Sequence, residues 1–167
     1  LARTELDGEA YVLAEIRDIS DRKQRQQTLE AERGFIQQSL EALQDPFYML
    51  GPDGKLQRWN SSLSDVTGYS DAELDGLDAL ALFEVDDRDR VGEAIAAVFE
   101  TGSAVVEAAL VTKDGESIPY EFTGTRLTDG EGELRGIVGT GRDVSARKQR
   151  LERLRKQEAA FRRLHQT

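Results

Sequence analysis

Few residues in this sequence have the types and spacing that catalysis or metal binding requires. There is no cysteine among the 167 residues, which excludes thiolate nucleophiles, thiolate metal ligands and disulfides. The single histidine, His165, is followed by Gln166 and Thr167, whereas a phosphoacceptor histidine is typically followed by an acidic and then a basic residue. The densest acidic group, at residues 86–89, is typical of the first turn of a helix. We therefore expect neither enzymatic activity nor a metal site.

The charge of the chain is strongly negative. The net charge is −10, with 32 acidic residues against 22 basic ones, whereas nucleic-acid binding needs a basic surface. No apolar stretch is long enough to span a membrane, and no stretch has the pattern of a signal peptide. We therefore expect no nucleic-acid partner, no membrane span within this segment and a cytoplasmic location.

Two nine-residue segments repeat each other. Residues 17–25 read RDISDRKQR and residues 142–150 read RDVSARKQR, with seven identical positions at an offset of 125 residues. An offset of this size corresponds to one small domain and a linker. The repeat predicts the terminal hairpin of a preceding domain at 1–19, a helical linker at 20–44, a complete domain at 45–145 and a second helical linker at 146–167. The hairpin would turn at Asp7-Gly8-Glu9.

Strand and helix signals alternate within the predicted domain. Turns rich in glycine and aspartate occur at 51–54, 113–116 and 129–132, between short runs of apolar residues that alternate with polar ones. Asn60 and Gly68 have the positions of a helix cap and a helix stop. An apolar stripe at Val91, Ile95 and Val98 predicts an amphipathic helix over about 86–100. This order predicts an antiparallel sheet with helices inserted over one face.

Four segments in this order resemble a PAS domain with its C-terminal PAC motif. They are DPFYMLGPDGKL (45–56), WNSSLSDVTGYSDAELDG (59–76), VTKDGESIPYEF (111–122) and GIVGTGRDVSARKQ (136–149). The resemblance implies an α+β PAS fold, with a five-stranded antiparallel sheet, short helices on one face, and flanking N- and C-terminal linker helices. It also implies a cavity between sheet and helices. Signals would leave through the flanking helices, often in a dimer.

The composition and the ending suggest a parent protein. The acidic surface and the scarcity of lysine resemble haloarchaeal proteins, and the ending FRRLHQT resembles the lead-in to a GAF domain in haloarchaeal sensors and regulators. The same ending is equally compatible with another PAS domain. The expected neighbours are therefore PAS, GAF, kinase or regulator domains of one signalling chain, either a histidine-kinase-like sensor or a transcriptional regulator.

Alternation along the strands and helical spacing predict which side chains face the implied cavity. The candidates are Tyr48, Leu50, Leu63, Val66, Phe83, Ile95, Phe99, Ala108, Leu110, Tyr120, Phe122, Ile137, Gly139 and Gly141. The two glycines and the alanine would leave room beside the aromatic rings, and the Tyr120 hydroxyl would orient a flat, mostly apolar ligand. The alternative is that these residues simply pack a closed core.

The identity of a cofactor is left open by the sequence, although two kinds are disfavoured. A cysteinyl-flavin adduct of the LOV type needs a cysteine, which is missing, and that subfamily has a glutamine where this chain has Gly141. Haem in a PAS domain usually binds a histidine on the long helix, and residues 86–100 contain none. The candidate that the sequence leaves is a small apolar or aromatic molecule.

The repeated segments coincide with the predicted junctions between strand and helix. Asp143, Val144 and Ser145 would form the outgoing joint, and Asp18 and Ser20 would form the equivalent joint before the first linker. Ser145 is predicted to cap the helix by accepting from the N–H of Arg147 or Lys148. Asp143 would either pair with an arginine or accept backbone N–H groups.

The linkers carry apolar residues at heptad spacing. Leu29, Ile36, Leu40 and Leu43 form one set, and Leu151, Leu154 and Phe161 form the other. This spacing predicts a homodimer through short coiled coils; the alternative is a single helix packing on its own sheet. The resulting hypotheses are a sensory PAS module that passes a ligand signal through these helices, or a ligand-free PAS module for dimerisation or spacing.

Overall fold

The computed structural model describes residues 2–165 of the chain, which form two compact units. The first unit consists of one helix, α1 (Ala2–Ala42). Among its side chains from residue 8 to residue 42, all are exposed except that of Leu40, which is partly buried. None of the described helices is both long enough and apolar enough to cross a membrane.

The helix α1 contradicts the hairpin predicted at residues 1–19. The turn expected at residues 7–9 is helical, and so are both flanking strands over the described residues. A two-stranded hairpin is marginal without further strands or a core, and the five described strands all belong to the sheet of the second unit. A helix satisfies its backbone groups within the segment itself. That the repeat marks a preceding domain stays a prediction.

The joint predicted at Asp18 and Ser20 is wrong for the same reason. Both residues lie inside α1, where no strand ends and no helix begins. Asp18 instead forms an ion pair with Arg22 one turn later, at 3.4 Å. The linker predicted over 20–44 is helical as far as Ala42.

The second unit is built on a five-stranded antiparallel sheet with strand order β2-β1-β5-β4-β3. The strands are β1 (Phe47–Leu50), β2 (Leu56–Trp59), β3 (Ser103–Val111), β4 (Ser117–Thr128) and β5 (Leu134–Asp143). Tight turns join β1 to β2, β3 to β4 and β4 to β5, as the glycine and aspartate signals predicted. The last strand therefore lies at the centre of the sheet, between β1 and β4.

The connection between β2 and β3 holds the inserted helices. They are α2 (Ser61–Thr67), α3 (Asp71–Leu74), two 3₁₀ turns (Ala79–Leu82 and Val85–Asp87) and α4 (Arg88–Thr101). The helix α4 starts two residues later than predicted because the acidic residues before it form the second 3₁₀ turn. After β5, the chain continues into α5 (Ser145–His165), where the second linker was predicted.

The strand register confirms which residues share the inner face. Tyr48 lies opposite Gly139, which lies opposite Gly124 in turn, and Phe122 lies opposite Gly141. Directly paired residues point to the same side of a sheet. The inner face packs against α2, α4 and the 3₁₀ turns to form one buried apolar core. Leu110 and Leu74 are fully buried there.

Asn60 ties the first strand to α2. Its side-chain oxygen accepts from the N–H of Phe47 (2.9 Å) and of Leu63 (3.3 Å), and its amide donates to the carbonyl of Asp45 (3.0 Å). Only 1% of Asn60 is exposed. The predicted cap of α2 is thus confirmed, and the same side chain also fixes the start of β1.

Replacing Asn60 by alanine should destabilise the domain by about 1–3 kcal/mol, because partly buried backbone groups lose their partners. The measurement is the free energy of unfolding in urea. Asp65→Ala on the exposed face of α2 is the matched control, since surface changes are usually within about 0.5 kcal/mol. Equal effects of the two substitutions would contradict this role of Asn60.

Candidate functional site

An apolar cavity of about 60 Å³ lies between α4 and the inner face of the sheet. Its lining consists of Tyr48, Leu50, Leu56, Leu63, Ala79, Leu82, Phe83, Val91, Ala94, Ile95, Val98, Ala104, Val106, Leu110, Phe122, Gly124 and Ile137. The partly exposed members are Tyr48, Ala94, Ile95, Ala104 and Val106, and the others are buried. Four of these five belong to α4 and β3.

Eight of the fourteen predicted pocket residues line this cavity. They are Tyr48, Leu50, Leu63, Phe83, Ile95, Leu110, Phe122 and Ile137. The other six, which are Val66, Phe99, Ala108, Tyr120, Gly139 and Gly141, do not. Of these, Ala108 and Tyr120 belong to the buried core, and Val66 and Phe99 pack against it from outside the cavity.

The two glycines of β5 do not leave the open space that their lack of a side chain suggested. A Cβ at Gly139 would overlap the carbonyl oxygen of Thr123 and lie 2.5 Å from the Tyr48 hydroxyl. A Cβ at Gly141 would lie 2.6 Å from the ring of Phe122. Aromatic rings from the neighbouring strands already cover both positions, so these glycines permit close packing and not a pocket.

Tyr120 is also placed differently from the prediction. Its ring stacks on that of Phe122, with centroids 5.5 Å apart, but it does not border the cavity. Burial, with smaller contributions from the charges of Asp143 and Asp45, raises the pKa of Tyr120 to about 12. The structure therefore places Tyr120 outside the lining of this cavity, and the ligand-orienting role of its hydroxyl stays a prediction.

The outgoing joint connects the last strand to α5. Val144 is buried, its N–H donates to the carbonyl of Pro119 on β4 (3.0 Å), and its own carbonyl accepts from the N–H of Lys148 (3.0 Å). The Asp143 carboxylate accepts from both the N–H and the hydroxyl of Ser145, at 2.8 and 2.5 Å. Of the two roles predicted for Asp143, the structure shows the acceptance of backbone N–H.

The prediction that Ser145 caps α5 is wrong. Its hydroxyl donates to Asp143, and the first helical hydrogen bond runs from the N–H of Lys148 to the carbonyl of Val144, so Val144 and not Ser145 is the residue that precedes the helix. The helix begins at Ser145 itself, so the acceptor that orders its first turn comes from two residues earlier. The short side chain of Asp143 reaches forward over the turn to a residue two positions later, an arrangement that aspartate favours.

Charged residues hold the first turn of α5 against the outer face of the sheet. We call Glu107, Glu121, Arg147 and Lys148 the ionic clasp. Arg147 pairs with Glu107 and lies 3.6 Å from Glu121, and Lys148 lies 3.6 Å from Glu107. The two glutamates face each other across β3 and β4, a repulsive arrangement that the two cations of α5 neutralise.

The ionic clasp and the cavity lie on opposite faces of the same strands. Glu107 follows Val106 along β3, and Glu121 precedes Phe122 along β4; Val106 and Phe122 both line the cavity. Because successive side chains of a strand point to opposite faces, a displacement of β3 or β4 at the cavity also moves the clasp.

Comparison with known proteins identifies the family. The family model of the PAS fold matches residues 40–149 of the chain. This chain belongs to the PAS family. The predicted α+β fold, with its five strands and flanking helices, is thereby confirmed. A search of proteins with curated functions finds no match to the sequence.

Several solved structures resemble this PAS domain. The PAS domain of a protein from Colwellia psychrerythraea is 19% identical with a TM-score of 0.62, over 71% of this chain and 98% of that chain. A sensory box histidine kinase/response regulator from Burkholderia thailandensis is 26% identical with a TM-score of 0.58, over 77% and 98%. An RNA-binding light-oxygen-voltage receptor is 19% identical with a TM-score of 0.66, over 81% and 39%.

Several residues that line the cavity were not among those predicted from the sequence. Val91 and Val98 belong to the predicted stripe of α4, and Ala104, Val106 and Gly124 follow the alternation of their strands. These five carried a periodic signal that places them on the inner face. Ala79 and Leu82 lie in a 3₁₀ turn too short to show a period, so only their position in the fold reveals them.

Proposed function

We propose that this PAS domain is a non-catalytic sensory module of a multidomain signal-transduction protein. In this proposal the cavity takes a small, mostly apolar molecule, and α5 carries the resulting change onward. The observation that supports it best is the placement of an apolar cavity and the ionic clasp of α5 on opposite faces of β3 and β4. A PAS domain of a two-component sensor histidine kinase is among the similar structures, which favours a signalling context.

The size of the cavity limits the ligand. Pockets for drug-sized molecules span about 300–1,000 Å³, and this cavity has about 60 Å³. A flavin or a haem is far larger than this space. The proposed ligand is therefore a molecule with only a few heavy atoms.

The second candidate function is a ligand-free module for dimerisation or spacing. The observation that favours it is the filling of the space over Gly139 and Gly141 by the rings of Tyr48 and Phe122, which leaves only a small void. In this case the cavity would be a packing defect, and the signal would pass along the flanking helices without a ligand.

We propose that a second copy of the chain pairs with the linker helices α1 and α5. Among the residues at heptad spacing, Leu29, Leu151 and Phe161 are 51%, 50% and 62% exposed. Apolar side chains so exposed gain free energy when a partner helix covers them. The repeat at residues 17–25 and 142–150 supports a parent with further PAS domains. The resemblance of FRRLHQT to the lead-in of a GAF domain supports a PAS or GAF neighbour in a parent that also carries a kinase or regulator domain.

Mass spectrometry of the purified, denatured protein distinguishes the two functions. A sensory module should release a small organic molecule in an amount close to one per chain. Ala94→Leu, which adds a larger side chain to the cavity wall, should abolish this release. Ala96→Leu on the exposed side of the same helix is the matched control and should leave it unchanged. If no molecule is released and Ala94→Leu raises the melting temperature, the closed-core function holds instead.

The ionic clasp yields a separate prediction. Arg147→Ala should change the free energy of unfolding by less than about 1 kcal/mol, because its ion pairs are half-exposed. It should nevertheless lower the protection against hydrogen exchange of the first hydrogen-bonded amide of α5, that of Lys148, which donates to the carbonyl of Val144, since one anchor to the sheet is lost. Arg153→Ala, further along α5, is the control. Unchanged protection of the Lys148 amide in Arg147→Ala would show that the clasp does not hold the helix.

A further inference from the structure

The cavity wall contains one polar side-chain atom. Among the described residues that line the cavity, every side chain but that of Tyr48 is a hydrocarbon or a glycine hydrogen. The Tyr48 hydroxyl lies beside Gly124, where an added Cβ would be 3.4 Å from that oxygen and 3.3 Å from Val98. Because Gly124 and Val98 also line the cavity, the phenolic oxygen borders the same wall.

The Tyr48 hydroxyl already donates its proton in a hydrogen bond within the protein. Tyr48 extends across β5 at Gly139, and its O–H donates to the carbonyl of Thr123 on β4 at 2.5 Å. Burial raises the pKa of Tyr48 well above its ordinary value, so the group is neutral and keeps this proton at physiological pH. A phenolic oxygen whose proton is donated elsewhere offers only its lone pairs. Toward the cavity, Tyr48 is therefore a hydrogen-bond acceptor.

The lack of charged side chains among the described lining residues further restricts which molecules can bind in the cavity. No lysine, arginine, histidine, aspartate or glutamate among residues 2–165 lines the cavity. An ion buried there would lose its hydration without gaining a counter-charge, which is strongly unfavourable. A bound molecule must then be neutral, and its only polar partner in the side-chain wall accepts a hydrogen bond.

We propose that the cavity selects small neutral molecules with an aliphatic body and one O–H or N–H donor, such as short-chain alcohols, and that Tyr48 determines this selectivity. The inference rests on the proposed sensory function and names the ligand class of the same cavity. A ligand that carries a second polar group would bury it against hydrocarbon and bind more weakly. An ether of equal size would bind without the hydrogen bond.

Isomeric probes test this selectivity. 1-Butanol and diethyl ether contain the same atoms, but only the alcohol has a donor. In NMR titrations of the full chain, the wild type should bind 1-butanol about three- to tenfold more tightly than diethyl ether, the difference expected from one net hydrogen bond. The Tyr48 ring resonances should shift further with the alcohol than with the ether.

Two substitutions complete the experiment. Tyr48→Phe should bind both probes equally, and Tyr69→Phe, a tyrosine outside the cavity wall, should keep the preference. Equal binding of both probes by the wild type, or a preference that survives in Tyr48→Phe, would overturn the role of Tyr48 and leave the ligand cavity intact. The wild-type comparison and its ring shifts decide the matter even if Tyr48→Phe does not fold. Failure of both probes to bind, with no molecule released on denaturation, would contradict the ligand-sensing function itself.

Discussion

Gly139→Ala is expected to lower the stability of this PAS domain by at least about 3 kcal/mol, the upper end of the range for overpacked cores. The added Cβ would overlap the backbone carbonyl of Thr123, and it would lie 2.5 Å from the Tyr48 hydroxyl. The carbonyl belongs to the central part of the sheet and cannot move without displacing β4. Relief would therefore require both a lost Tyr48 hydrogen bond and a distorted strand pair.

Urea unfolding of three alanine variants gives the measurement. Gly141→Ala should cost less than Gly139→Ala, because its closest obstacle is the ring of Phe122, a side chain that can rotate. Gly130→Ala in the turn before β5 meets no atom within 4 Å and should change stability by less than about 0.5 kcal/mol. A loss below about 1 kcal/mol for Gly139→Ala would show that the strands accommodate the methyl group and would contradict the packing described here.

Leu110→Ala is the second substitution with a large expected effect. Leu110 is fully buried, lines the cavity and belongs to β3 where Phe83 forms an isolated bridge to it. Truncating a buried leucine typically costs about 2–5 kcal/mol, through lost burial and the remaining void. Because this void adjoins an existing cavity, few neighbouring side chains are placed to fill it. We expect a loss in the upper half of that range, measured by urea unfolding.

The enlarged cavity supplies an independent readout. An engineered apolar cavity of about 150 Å³ binds benzene, and the Leu110→Ala cavity should likewise take benzene that the wild type excludes. Val105→Ala on the same strand is the control, because Val105 is 65% exposed and should cost less than about 1 kcal/mol. A destabilised Leu110→Ala protein that binds no benzene would show that the core collapses into the space.

Local sequence features determined the fold and the inner face of the sheet. The alternation of apolar residues along β3 and β4 predicted the faces that the register confirms, because side chains on a strand point to opposite sides in turn. Asn60 and Gly68 mark the ends of α2 as predicted, since capping and a left-handed glycine are satisfied within a few residues. These signals are local, so they do not depend on which strands become neighbours.

The contents of the cavity depended on tertiary structure. The rings that cover Gly139 and Gly141 come from other positions in the sheet, and only the register and the side-chain rotamers bring Tyr48 across β5. The ionic clasp likewise joins residues 40 positions apart in the chain.

The described part of residues 1–19 adopts a structure whose backbone hydrogen bonds a segment can satisfy without a partner. Their apolar pattern predicted strands, yet the described residues from Ala2 onward are helical. Strand pairing needs a neighbouring strand from elsewhere, whereas a helix bonds its backbone within the segment. What this sequence determined by itself was therefore the set of features that short segments satisfy alone. The tertiary structure decided whatever required a partner distant in the chain.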